Sequence, residues 1–427
     1  DVTPNLRMVK NILLIIALIA CWADSMAQDA NPVVERFVKA SGIKPESVAV
    51  MITDLSDNKV IGSHNISTPL IPASIMKSVT TAALLNKVGP NYRYHTGIFI
   101  DGPLDMGILR GNLVIVGACD PSVNSMSEPY GQNIIEEITD ALRLAGINKI
   151  EGKIIIDESE FAGSPRPDSW MAADFRESYG TGIHAFNFEN NARGGRSVEN
   201  PSYVFISRLK SALAKEMISI DEKDLGIGKR TQIFDHVSPP IDEIMRSCMM
   251  RSDNMFAEAM LRTYGKLEGK DGSTPSAANR EYAFWVERKM PMEGVEIIDG
   301  SGLSRQNRVT AEFMNGILTQ MSGDATYASF FPLAGQEGTL KKFLAETPLD
   351  SYIAMKTGSM KGIQCYAGYK LDEDYVPTHS VVIIMNDIVG KRDRVRKAAE
   401  NMLLDIFINE PKQVEANQQV INSEEYE

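Results

Sequence analysis

Histidine is scarce in this chain, with five in 427 residues. His64, His95, His184, His236 and His379 include no pair spaced as ligands on one helix face, so neither a histidine-based hydrolase nor a metal centre is expected. Cysteine is sparser still, at four. Cys119, Cys248 and Cys365 are too scattered for a disulfide framework and read as small buried side chains. Basic residues are outnumbered, 44 Lys and Arg against 56 Asp and Glu, for a net charge of -12. Nucleic-acid binders concentrate Lys and Arg on one face, so a nucleic-acid partner is excluded.

Long apolar runs are lacking near the start as well. Residues 12–22 are apolar, but a stable anchor needs roughly 20 such residues. The run follows the short basic segment Met8-Val9-Lys10-Asn11 and precedes Ser25-Met26-Ala27, the order of a secretory signal peptide over residues 1–27. The protein is therefore expected to be exported to the periplasm. Leu18-Ile19-Ala20-Cys21 also has the form of a lipoprotein cleavage site, which would leave a lipid anchor on Cys21.

What remains is an ordinary globular composition, 43% hydrophobic and 23% charged, long enough for two or three domains. Helical spacing over 33–40, a hairpin from 48–55 and 60–63, and an Ala/Leu-rich helix over 75–85 open the fold. Strand-like runs at 351–357, 364–371 and 380–386 and an amphipathic helix over 392–408 close it. Two early and three late strands predict one antiparallel sheet flanked by helices, an α+β arrangement. Short strand-like runs at 98–100, 112–116, 153–156 and 204–206 predict a β-rich insertion over 93–231. A discontinuous catalytic domain then covers 28–92 and 232–409. Residues 410–427, rich in Gln, Asn and Glu, read as a disordered acidic tail.

Ser74-Ile75-Met76-Lys77 opens the Ala/Leu-rich helix directly after Pro72-Ala73, so Ser74 and Lys77 share a helical face. A desolvated lysine near other cations loses its proton readily and can take one from a serine hydroxyl, activating a nucleophile without histidine. Such a pair occurs by chance about once or twice in a chain of this length, so company is needed. Ser252-Asp253-Asn254 follows the helical run 241–250 and can project a hydroxyl and an amide into a cleft. Lys356-Thr357-Gly358-Ser359 ends a predicted strand. There Lys356 can hold a substrate carboxylate, Thr357 can donate a hydrogen bond, and Gly358 can leave room for a substrate backbone.

Three such motifs in this order occur in penicillin-binding proteins and class A β-lactamases. The segments GNLVIVGACDPS (111–122), YGTGIHAFNFENN (179–191), DGSGLSRQNRVT (299–310) and GQEGTL (335–340) extend the likeness. Together they resemble the type-4, class C branch of low-molecular-mass penicillin-binding proteins over nearly all of residues 30–408. The resemblance implies the DD-peptidase and β-lactamase-like transpeptidase fold, no metal or cofactor, D-alanyl-D-alanine carboxypeptidase and DD-endopeptidase activity on peptidoglycan stem peptides, and acylation by β-lactams. It further implies Ser74 as nucleophile, Lys77 as base, Ser252 and Asn254 as partners, and Ser359 opposite the nucleophile. Asp157, Phe161 and Arg305 become candidates for contacting the stem peptide. Their plain structural readings are a strand-end turn carboxylate, a core aromatic and a solvated loop cation. Two positions depart from the pattern: Gly117-Ala118-Cys119 before Asp120-Pro121, and Lys361 where an uncharged polar side chain is usual. The insertion is also short for the family, so one inserted domain is expected to be reduced.

Two other functions fit parts of this pattern. A serine β-lactamase would acylate through the same motifs but is usually shorter and needs a Glu-bearing deacylation loop, which is not evident here. A catalytically silent peptidoglycan-binding or sensor protein would have lost Ser74, Lys77 or Lys356, and all three are present.

Overall fold

In the computed structural model of the chain, residues 32–126, 130–390 and 392–409 are described. The signal peptide, Cys21 and the acidic tail lie outside them. No described helix is long and apolar enough to cross a membrane.

The two ends of the chain meet in one five-stranded antiparallel sheet. Its order is Ile353–Met360, Ile363–Leu371, Pro377–Met385, Val48–Asp54 and Lys59–His64. Side chains alternate across a strand, and here both faces are covered. Val48, Val50 and Ile52 join Ile383 and Met385 beneath helices Pro32–Ser41 and Arg392–Leu404. Ala49 joins Cys365, Ala367, Val382 and Ile384 on the other face, against an internal group of helices. Fully burying each Val, Ile or Met contributes about 1.5–3 kcal/mol, so reversing this register by one residue would be costly.

The centre of the internal group is helix Met76–Val88, whose residues 76–85 are all buried. A helix with no polar face must be enclosed on every side. It is packed by helices Ile241–Arg251, Asn254–Leu267, Thr274–Glu287 and Ala311–Met321. It stops at Gly89, whose N–H makes the last helical bond, to the Leu85 carbonyl, and whose φ of 70° then turns the chain away. Cys119, Cys248 and Cys365 are buried and unbridged, as expected of small apolar side chains.

A third core is built from residues 98–234. Strands appear where expected, as His95–Ile100, Leu113–Val116 and Ile154–Asp157. The expectation of a strand at 204–206 was wrong. Asn200 caps and Pro201 opens a helix, Pro201–Lys215, that buries Phe205, Leu209 and Leu213 at four-residue spacing. A short apolar run does not distinguish the two periods; the longer spacing does. With helix Ile134–Leu144, this makes the segment mixed rather than mainly β. Strand Thr231–Val237 pairs with His95–Ile100, so this sheet reaches across the boundary expected at 231. Arg262, buried on helix Asn254–Leu267, ties the loops of the inserted segment to the internal helices. Its guanidinium donates to the carbonyls of Ala162, Ile183 and Gly272 at 2.6–2.7 Å.

The sheet and the central helix meet most closely at Gly358. A Cβ there would lie 2.5 Å from the Pro72 carbonyl oxygen and 3.2 Å from the Ile75 nitrogen, atoms that flank Ser74. The space left by this glycine is filled by the chain itself, not by a substrate backbone. Gly358→Ala should cost about 1–3 kcal/mol, as overpacking does. A thermal melt should show a clear fall in Tm, and an unchanged Tm would mean that this contact is soft.

Candidate active site

Ser74 lies in the 3₁₀ turn Ala73–Ile75 that leads into helix Met76–Val88. Ala73 has a φ of +47°, a strained value for a residue with a Cβ. Gly302 lies against it, where a Cβ would be 1.9 Å from the Ala73 carbonyl oxygen. Lys77, the second residue of the helix and one turn beyond Ser74, is fully buried. Its Nζ lies 3.0 Å from Ser74 Oγ, 2.6 Å from Asn254 Oδ1 and 2.8 Å from the Ser301 carbonyl oxygen. No carboxylate touches it among the described residues. An ammonium would donate to all three, whereas a neutral amine keeps two N–H groups for Asn254 and Ser301 and can turn its lone pair to the Ser74 hydroxyl. Burial lowers the Lys77 pKa below that of an ordinary lysine, opposed in part by Cys248, Asp299, Glu258 and Asp253.

Ser252 ends helix Ile241–Arg251 in the left-handed region, with φ 59° and ψ 41°, and its N–H returns to the Cys248 carbonyl. Asp253 then caps the next helix by accepting the Phe256 N–H at 3.1 Å. One helix end followed directly by another helix start places Ser252 and Asn254 side by side. The Asn254 amide is oriented from both ends, since Oδ1 accepts from Lys77 while Nδ2 donates to the Tyr179 carbonyl at 2.9 Å.

Lys356 is also fully buried, and its Nζ donates to Ser252 Oγ at 2.9 Å and to the Thr357 carbonyl at 2.8 Å. Burial first, and the nearby Lys77 second, push its pKa well below that of an ordinary lysine. It faces Ser252 rather than open solvent, so its charge reaches a substrate through that hydroxyl. The Thr357 hydroxyl donates to Thr339 Oγ1 at 2.7 Å, which brings in the 335–340 segment. Ser359 is exposed at the rim and accepts a hydrogen bond from Arg392, which also donates to the Met360 carbonyl.

Ser74, Lys77 and Asn254 thus form one hydrogen-bonded group and Ser252 and Lys356 a second, brought together because Ser252 and Asn254 are two residues apart, with Thr357, Gly358 and Ser359 on the adjoining strand. The three candidate peptide contacts fall elsewhere. Arg305 donates to the Lys361 carbonyl at 2.6 Å, at the tip of the hairpin beyond Ser359. Asp157 ends a strand, pairs with Arg230 at 2.7 Å and caps Ser159, whose hydrogen bonds hold its carboxyl below the usual range. Phe161 packs beside Gly272, with Arg262 and Lys266 each 5.9 Å from its ring centre. Those two residues lie eight and twelve positions beyond Asn254, about 12–18 Å along the helix. No hydrogen bond or ion pair among the described residues joins Asp157 or Phe161 to the motif group. Sequence reading missed the Tyr179 and Ser301 carbonyls, Thr339 and Arg392. Tyr179, Ser301 and Thr339 fall within the resembling segments, but a backbone acceptor leaves no mark of its own in a sequence.

A serine hydroxyl thus lies beside a buried lysine amine, and the chain that carries them is similar to known proteins over most of its length. The D-alanyl-D-alanine carboxypeptidase DacB of Haemophilus influenzae is 22% identical over 399 residues, spanning 76% of this chain and 82% of that protein. The carboxypeptidase DacB of Mycolicibacterium smegmatis is 25% identical over 340 residues, spanning 75% and 72%. Among solved structures, penicillin-binding protein 4 of H. influenzae superposes with a TM-score of 0.76 at 20% identity, covering 87% of this chain and 99% of its own. A predatory peptidoglycan endopeptidase of Bdellovibrio bacteriovorus superposes with a TM-score of 0.54 at 16% identity, covering 85% and 92%. The model of the D-Ala-D-Ala carboxypeptidase 3 (S13) family matches residues 31–193 and 189–405, almost the whole described chain, so the chain belongs to that family.

Proposed function

We propose that this protein is a serine D-alanyl-D-alanine carboxypeptidase and DD-endopeptidase that acts on peptidoglycan stem peptides through an acyl-enzyme on Ser74. The observation that carries the reading is the Ser74 hydroxyl 3.0 Å from a fully buried lysine amine that no carboxylate touches. Family membership and the relatives named as D-alanyl-D-alanine carboxypeptidases support the substrate class. The endopeptidase neighbour supports the second activity.

Ser74 Oγ attacks the carbonyl carbon of the penultimate D-Ala while Lys77 Nζ accepts the hydroxyl proton. The backbone N–H groups of Ser74 and Ser359 receive the developing oxyanion. As the tetrahedral adduct collapses, the C–N bond breaks. The leaving amine takes a proton from Lys77 by way of the Ser252 hydroxyl, which in the resting structure accepts from Lys356 and turns to Lys77 once substrate is bound. Asn254 fixes the Lys77 amine and presents its amide to the substrate backbone, and Lys356 favours a substrate carboxylate from behind Ser252. Water then cleaves the ester. Thr357 and Gly358 shape the strand along which the substrate lies, and Arg305 stands at its far rim, with Asp157 and Phe161 supporting the inserted domain. The catalytic domain is assigned to 28–92 and 232–409 around the insertion at 93–231, except that strand Thr231–Val237 completes the insertion's sheet, and the enzyme works after export, with or without a lipid anchor at Cys21.

β-Lactams should follow the same path and stop at the ester; the H. influenzae neighbour has itself been solved in complex with a β-lactam. Intact-protein mass spectrometry after treatment with benzylpenicillin should show one covalent adduct on the wild type and none on Ser74→Ala. An adduct that survives the substitution would remove Ser74 from the mechanism.

Ser252→Ala and Asn254→Ala should each lower turnover of crosslinked muropeptides by about 10²-fold or more, in the range of a lost acid–base or positioning group. Their melting curves should stay close to wild type, because both side chains are part-exposed at the cleft. Full activity in Ser252→Ala would exclude the relay.

A further inference from the structure

Behind Lys77 lies a group of buried carboxyls that the mechanism above leaves unused. Glu258 is one turn beyond Asn254 on the same helix and is fully buried. Its Oε1 accepts the Ser301 N–H at 2.8 Å, while the carbonyl of the same Ser301 accepts from Lys77 at 2.8 Å. Glu281, fully buried on helix Thr274–Glu287, accepts from the Thr80 hydroxyl at 3.4 Å. Thr80 lies one turn beyond Lys77 and is also 3.2 Å from the Gly300 carbonyl oxygen. The Gly300–Ser301 segment that holds the lysine is therefore itself held by two glutamates, one directly and one through Thr80.

The second oxygens of these glutamates, Glu258 Oε2 and Glu281 Oε1, are buried and have no partner among the described residues. Asp299 beside them differs. It accepts hydrogen bonds from Trp170 Nε1, Asn307 Nδ2 and the backbone N–H groups of Gly302 and Ser304, so a charge there is compensated. An ionised carboxylate oxygen buried without a donor is far more costly than a neutral acid. Burial, followed for Glu258 by the proximity of Asp299, raises both glutamates above the ordinary carboxylate range. The charged or titratable groups that bear on this region are Lys77, Lys356, Asp299, Asp253, Cys248 and Tyr264, with Glu258 acting on Glu281.

We propose that Glu258 is a positioning residue that holds Ser301 against Lys77 in its protonated form, and that ionisation of the Glu258 and Glu281 carboxyls at alkaline pH slows acylation. The proposal rests on Lys77 acting as the base for Ser74. An anion behind Lys77 favours its ammonium form, and an ammonium has no lone pair to accept the Ser74 proton. The sign follows directly. On the acid side of this ionisation the glutamates are neutral and Lys77 can be the free amine; on its alkaline side their charge draws a proton back onto Lys77.

The test is the rate of acylation by a fluorescent penicillin, measured from acid to alkaline pH on the full-length wild type, Glu258→Gln and Glu258→Ala, with a melting curve for each. Gln keeps the acceptor for Ser301 and cannot ionise. It should support acylation at neutral pH and lose or displace the alkaline decline expected of the wild type. Glu258→Ala should acylate about 10-fold more slowly or worse, as expected for a displaced reacting group. If the alanine protein does not fold, the glutamine profile alone decides. A folded Glu258→Gln that fails to acylate at neutral pH, or one that keeps the wild-type profile, would overturn the proposal. Labelling that persists in Ser74→Ala would instead strike the reading of Ser74 and Lys77 and leave the carboxyls without a reaction to regulate.

Discussion

Two lysine amines sit in the interior of this protein with only neutral oxygens in contact, and the rest of the site is arranged around that constraint. Removing an ammonium from water without an anionic partner carries a desolvation penalty of several kcal/mol, which loss of the proton avoids. For Lys77 the proposed result is a base beside the Ser74 hydroxyl. For Lys356 the shift is conditional, since part of it comes from Lys77 and none of its contacts is an anion. A carboxylate arriving near Ser252 would favour its charged form. One buried amine can therefore serve as base while the other answers to the substrate.

Holding this arrangement requires three segments far apart in the chain to converge with strain at the joins. Ala73 precedes the nucleophile at a φ of +47°, and Ser252 takes φ 59° at the end of its helix. Both are left-handed residues with side chains, a conformation that persists only where the surroundings enforce it. Around Ala73 the enforcing contacts are Gly302 and the packed central helix; at Ser252 they are the helix before it and the cap after it. Gly358 completes the set by letting the sheet edge approach the turn that carries Ser74.

Most of this is legible in the sequence where chemistry and period coincide. The five strands of the main sheet are readable because their alternation or continuous burial is bounded by turn residues, and the three motifs because each carries a reactive side chain. The helix at 201–215 is not, because 204–206 looks like a strand until the spacing of Phe205, Leu209 and Leu213 is followed. Phe161 cannot be placed in advance, since only the fold brings Gly272, Arg262 and Lys266 to its ring. Gly358 reads in sequence as room for a substrate, yet its own chain occupies that room. The glutamates behind Lys77 are invisible for a plainer reason. Glu258 and Glu281 look like any helix carboxylates, and only enclosure by neighbouring helices turns them into buried acids.

The central claim is that Lys77 is a free amine in the resting enzyme. It can be read directly by NMR titration of the lysine side chains in the full protein, with the Lys77 signal assigned by its loss in Lys77→Arg. The account predicts a titration displaced downward from that of an ordinary lysine and, at neutral pH, the signal of a neutral amine. A Lys77 that is still an ammonium at neutral pH would contradict it.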